Sequence, residues 1–176
     1  SVGAYAGMYL VLKPQRKLGG IDVESLRGGE EMQRLLDDAR NDLDKMQGST
    51  SEIKDSSLQS DAYALCDTGE RIYVYLNEHP EKISLAKRFF TYYLDTAVSI
   101  LSRYVEFQKT GLNTYEINEV MKKTSDSLPV LNKAFEKQFT HLMEGEVMDV
   151  EIDIELLEST LKMEDDRSEA RLNSSH

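Results

Sequence analysis

A chain of 176 residues is long enough for one domain with a real core and too short to make two comfortable ones. Hydrophobic residues make up 40% and charged residues 30%, with three Pro and ten Gly, a mix that favours long helices and disfavours a loop-rich all-β fold. The net charge of −11 repels phosphate backbones, so nucleic acid is excluded as an expected partner.

That charge is unevenly spread. Residues 1–20 hold Lys13, Arg16 and Lys17 and no acid, so they carry +3 and the remainder, by subtraction, −14. An uncharged run from Val2 to Leu12 leads into this basic group. A spanning helix needs roughly 20 apolar residues, so residues 1–12 read as the end of a transmembrane helix whose beginning lies upstream. Tyr5 and Tyr9 suit the interfacial belt, and Lys13, Arg16 and Lys17 suit a cytoplasmic exit. These five residues are the expected membrane anchor. A signal peptide would carry its charges before the apolar run; a short segment packed on the bundle is the other alternative. Residues 13–29, with Pro14, Gly19-Gly20 and Gly28-Gly29, read as a basic, glycine-rich linker.

From Glu30 the apolar residues Met32, Leu35/Leu36, Ala39, Leu43 and Met46 fall in steps of three and four, the seam of an amphipathic helix. Gly48 is expected to end it, and Ser49 with Glu52 to cap the next. That second seam runs Leu58, Ala62, Leu65, Gly69, Ile72 and Leu76 until Pro80 stops it and starts a third helix. The third seam is Ile83, Ala86, Phe90, Tyr93, Ala97, Ile100, Tyr104 and Phe107, with Phe89, Leu94, Leu101 and Val105 widening the stripe. Gly111 terminates it, and Asn113 with Glu116 is expected to cap a fourth helix through Ile117, Leu128, Leu131, Phe135, Phe139 and Leu142, kinked or broken at Pro129 and ended by Gly145.

Val147, Val150, Ile154, Leu157 and Leu161 repeat the three-four step, while residues 150–155 also alternate as a strand would. Length and the lack of a partner strand favour helix. From Glu164 the polar tail, residues 164–176, is expected to be disordered. Short turns make neighbouring helices antiparallel. The fold class is therefore all-α, an elongated antiparallel helical bundle over residues 30–163 with long coiled-coil-like helices.

Chemistry is harder to find. Cys66, the lone cysteine, cannot form an internal disulfide and sits among apolar helix positions, a bland buried thiol. His79, His141 and His176 lie in no metal-binding motif, so no metal, cofactor or catalytic residue is expected. The dense acids between Glu144 and Glu158 read as a solvated face. One segment exceeds what a single stripe can bury: Phe89-Phe90-Thr91-Tyr92-Tyr93-Leu94. Core packing accounts for most of it, and Phe89, Tyr92 and Tyr93 are the candidate partner-binding residues.

His79-Pro80-Glu81-Lys82, Phe90-Thr91-Tyr92-Tyr93-Leu94, Leu101-Ser102-Arg103-Tyr104 and the ending from Asp149 to Met163 resemble the 5-bromo-4-chloroindolyl phosphate hydrolysis protein (XpaC-like) family. The family pattern often has Pro where this chain has Asp95. The resemblance implies a bacterial protein at the cytoplasmic membrane with its soluble domain facing the cytoplasm, often paired with a TelA-like toxic-anion-resistance protein. It also implies phosphate ester hydrolysis by name, without catalytic residues to carry over. The expected function is a membrane-tethered helical adaptor in envelope or toxic-anion stress; a phosphoester hydrolase and a coiled-coil spacer or homo-oligomer are the alternatives.

Overall fold

The computed structural model describes residues 17–18, 21–22 and 28–175. The span expected at residues 1–12, with Tyr5, Tyr9, Lys13 and Arg16, lies outside them; Lys17 is described in its backbone alone. Among the described residues, no helix is long and apolar enough to cross a membrane.

The linker holds one small surprise, a two-rung antiparallel ladder between β1 (Lys17–Leu18) and β2 (Ile21–Asp22), with Lys17 opposite Asp22. Among the described residues, every element after it is a helix. The helices are α1 (Gly29–Glu52), α2 (Ser56–Glu78), α3 (Asp95–Thr110), α4 (Tyr115–Leu142) and α5 (Glu144–Ser174). A 3-10 stretch (Pro80–Ala86) and a π-helical turn (Phe89–Leu94) lead into α3. The chain divides into two compact units, residues 1–139 and 140–176.

In the first unit α1 is the centre. Its Leu36, Ala39, Leu43 and Met46 are buried, as the three-four spacing requires. The helix does not stop at Gly48, which is an exposed interior position, and Ser49 caps nothing. A glycine there costs about 1 kcal/mol. The burial of Thr50 and Ile53 just beyond offsets that, and the Thr50 hydroxyl donates to the Met46 carbonyl at 2.7 Å. Asp55 is the real cap of α2, accepting from the Leu58 N–H at 2.8 Å.

Helix α2 buries Leu58, Ala62, Leu65, Cys66, Gly69, Ile72 and Leu76. It runs antiparallel to α1, as shown by the pairs Arg40–Glu70 and Thr50–Cys66. Gly69 permits the close approach: a Cβ there would lie 2.7 Å from the Leu43 Cδ2. The ion pairs Glu31–Lys87 and Glu52–Lys109 place the segment from Lys87 to Lys109 parallel to α1. Phe135 of α4 reaches this core, near Gly69 and edge-on to Phe89 at 5.1 Å. The hydrogen bond from Thr68 to Asn132, 2.8 Å, and the Tyr75–Phe139 ring pair set α4 alongside α2 in the same direction.

The third helix departs most from expectation. It is three geometries in series, and the π turn shifts the register by one residue. Ala97 and Tyr104 are core as expected, and Leu94 and Leu101, expected to widen the stripe, are both 0% exposed, while Tyr93 and Ile100 of the expected seam are only half-buried. Phe89 and Leu94, five apart, both face inward, as the wider turn allows.

Gly111, at φ 66, ends α3 in the left-handed conformation expected of a terminating glycine. The α4 cap is Thr114, whose Oγ1 accepts from the Ile117 N–H at 3.3 Å; Asn113 instead accepts from the Asn118 side chain. Of the kink or break expected at Pro129, the break is absent: helix α4 runs on through Pro129, and it buries nothing before Leu128.

The second unit is essentially α5. Gly145 lies in its first turn, so the break comes at Met143 and not at the glycine. The tail expected to be disordered from Glu164 is helical to Ser174. Acids at Glu144 and Glu146 and a base at Arg171 complement the helix dipole at its two ends.

Candidate functional site

Three features stand apart from the core. The first is a cleft of about 260 Å³ between α1 and the π turn, lined by Leu35, Asp38, Ala39, Asp42, Phe90, Thr91 and Asp95. The four-residue steps of α1 bring Leu35, Ala39, Asp38 and Asp42 to one side. The π turn lays Phe90 and Thr91 against them, and Asp95 opens α3 at the cleft edge. Burial, more than any other cause, pushes the Asp42 carboxyl above the ordinary aspartate range. Lys45, 3.8 Å away, opposes that rise, while Asp95 and Asp38 add to it. The Thr91 hydroxyl is spent on the Lys87 carbonyl at 2.9 Å. Such a cleft accepts a cation with an apolar stem and repels an anion. The i, i+4 pair Asp38 and Asp42 is visible in the sequence, but nothing there marks that Asp95, from a helix far along the chain, joins them.

The second feature is aromatic. Of the three expected partner-binding residues, Phe89 is corrected: at 1% exposure and packed on Phe135, it belongs to the core. Tyr92 is 55% exposed and Tyr93 half-buried, their rings edge-on at 5.1 Å. The Arg88 guanidinium lies over both, 5.7 and 6.0 Å from the ring centres, so this patch is partly covered by its own cation.

The third is α5, in which no residue is buried. Val147, Val150, Ile154, Leu157 and Leu161, the seam expected of a packed helix, are each about half exposed.

The remaining reactive groups are structural. Burial raises the Cys66 thiol, whose Sγ lies 3.5 Å from the Thr50 hydroxyl, so it is a poor nucleophile. Arg40 bridges Asp44 and Glu70 and lies 5.1 Å from the Tyr73 ring centre; the bond to Glu70 is the largest cause holding it charged. His79 stacks on Tyr75 at 4.3 Å beside Glu81, and His141 meets Glu144 at 3.2 Å. His176 lies outside the described residues. Among the described residues, no group of three His, Cys, Asp or Glu is placed to hold a metal ion.

Comparison with known proteins agrees with the family resemblance. Protein XpaC of Bacillus subtilis (strain 168) is 21% identical over 131 residues, which is 74% of this chain. The chain spans 64% of the length of that curated relative. No solved structure matches it. The family described as 5-bromo-4-chloroindolyl phosphate hydrolysis protein matches residues 2–157, and the chain belongs to that family.

Proposed function

We propose that this protein is a helical adaptor, tethered through its N-terminal residues at the cytoplasmic face of a bacterial membrane, that docks a helical partner. One observation carries the reading. Helix α5 buries none of its residues, and its three-four ridge of Val, Ile and Leu is about half exposed. Covering such side chains stabilises a complex by about 1.5–3 kcal/mol for each one fully buried. The acidic cleft and the Tyr92–Tyr93 patch supply further contact chemistry on the bundle. A TelA-like protein and a role in envelope or toxic-anion stress are the partner and setting implied by the family resemblance.

The test is capture from native membranes with the full-length protein and its Leu157→Asp variant. A defined partner, identified by mass spectrometry and retained by the parent but lost by the variant, is the expected result. No seam-dependent partner would overturn the adaptor reading.

The family description favours a second reading, a phosphoester hydrolase acting on 5-bromo-4-chloroindolyl phosphate-type substrates. Its natural place is the cleft at Asp42, although three carboxylates there disfavour a phosphate dianion. Purified protein turning over an indolyl phosphate, with or without divalent metal, and losing turnover in Asp42→Asn would establish it over the adaptor.

A further inference from the structure

The shape and charge of α5 say more than that something covers it. At 3.6 residues per turn, the apolar side chains form two ridges on roughly opposite sides of the helix. Val147, Val150, Ile154, Leu157 and Leu161 make one; Met148, Ile152, Leu156 and Met163 make the other. All are exposed, and the helix buries none of its residues. One flat neighbour can cover only one ridge.

Charge decides what kind of neighbour. Between residues 144 and 161 there are seven acids and no Lys or Arg. In heptad register along the first ridge, the flanking positions are Glu151, Asp153 and Glu158; Asp149 and Glu155 flank the second. A second copy in parallel register would set Asp153 against Glu158. In an antiparallel pair that sets Val150 against Ile154, Asp153 meets Asp153 and Glu151 meets Glu151. Like charges at these flanks oppose pairing, and opposite charges favour it.

We infer that α5 is clasped from opposite sides by two apolar helix faces of another protein, both flanked by Lys or Arg. The inference rests on the adaptor reading and specifies its partner. The clasp buries both ridges at once and neutralises the acidic bands between them. Two copies of this chain cannot do so without stacking acid on acid.

The experiment uses the full-length protein and two synthetic amphipathic helical peptides sharing one Leu/Ile seam, one flanked by Lys and one by Glu. Calorimetry is expected to show two Lys-flanked peptides per chain, bound about tenfold or more tighter than the Glu-flanked peptide. That preference fades as salt rises, since the screening length is about 10 Å at 0.1 M and shorter above. Leu157→Asp removes one site, Ile152→Asp the other, and Val130→Asp, on exposed α4, neither. Because an added acid could melt α5, a second variant keeps both ridges intact. Glu151→Lys, Asp153→Lys and Glu158→Lys together reverse the peptide preference at the first ridge.

Equal binding of both peptides, or binding indifferent to both ridges, would overturn the inference. So would light scattering that finds a dimer dispersed by Leu157→Asp, which makes the occupant a second copy. If the Lys-flanked peptide fails while seam-dependent capture from membranes succeeds, the partner chemistry falls and the adaptor stands. Failure of both removes both.

Discussion

Helices α1 and α5 are written with the same repeat and meet opposite fates. In α1 the residues Leu36, Ala39, Leu43 and Met46 are at most 2% exposed, because α2 and the segment leading into α3 lie along it. In α5 the residues Val147, Val150, Ile154, Leu157 and Leu161 are each about half exposed. A three-four ridge states that a helix is to be covered. It does not state by what. The bundle supplies its own cover around α1, and the dense acids of α5 mark a helix whose cover carries positive charge.

Core substitutions should break the first half of that comparison most severely. Phe135→Ala removes a fully buried ring that packs on Phe89, and should cost about 3–5 kcal/mol, read as a lower urea midpoint of the bundle. A double-mutant cycle with Phe89→Ala should return a coupling of about 0.5–1.5 kcal/mol for the edge-on pair. Next in size is Asp55→Ala, which strips the cap from α2 and should cost about 1 kcal/mol by the same measurement.

A smaller effect sharpens the account of the cleft. The Asp42 carboxyl titrates above its unfolded range, so the folded state binds the extra proton and stability falls as pH rises through that window. Asp42→Asn should flatten the part of the profile lying just above the ordinary aspartate range and leave the protein slightly more stable at neutral pH. An unchanged slope in urea midpoints across that range would remove Asp42 from the cleft's electrostatics. The smallest expected change is the most telling. Leu157→Asp should move the bundle's midpoint by less than about 0.5 kcal/mol while abolishing seam-dependent capture. Substantial destabilisation of the bundle would mean that α5 is part of its core after all.

Much of the bundle was legible from periodicity. The seams of α1 and α2, the helix stop at Pro80 and the terminating Gly111 all follow from local rules that do not depend on what packs where. The failures are equally physical. Gly48 and Ser49 read as a boundary, yet burial of Thr50 and Ile53 carried the helix on. Tyr93 and Ile100 read as core, yet Leu94 and Leu101 are the more deeply buried. No local pattern announces the π turn, in which Phe89, Phe90 and Leu94 are all buried. The cleft was invisible because Asp95 joins the neighbouring Asp38 and Asp42 only when the start of α3 packs beside α1.

The chain on its own determined that this would be a helical bundle, that helices stop at Pro80 and Gly111, and that chemistry-bearing motifs are scarce. Those properties reside in spacing, caps and breakers, which act within a few residues. The tertiary structure alone decided which ridge is core and which is left bare, because burial is a relation between distant segments. It decided too that Phe89 is core and that three aspartates share a cleft. Periodicity wrote the same instruction into α1 and α5, and it was packing within the first unit that answered it for α1.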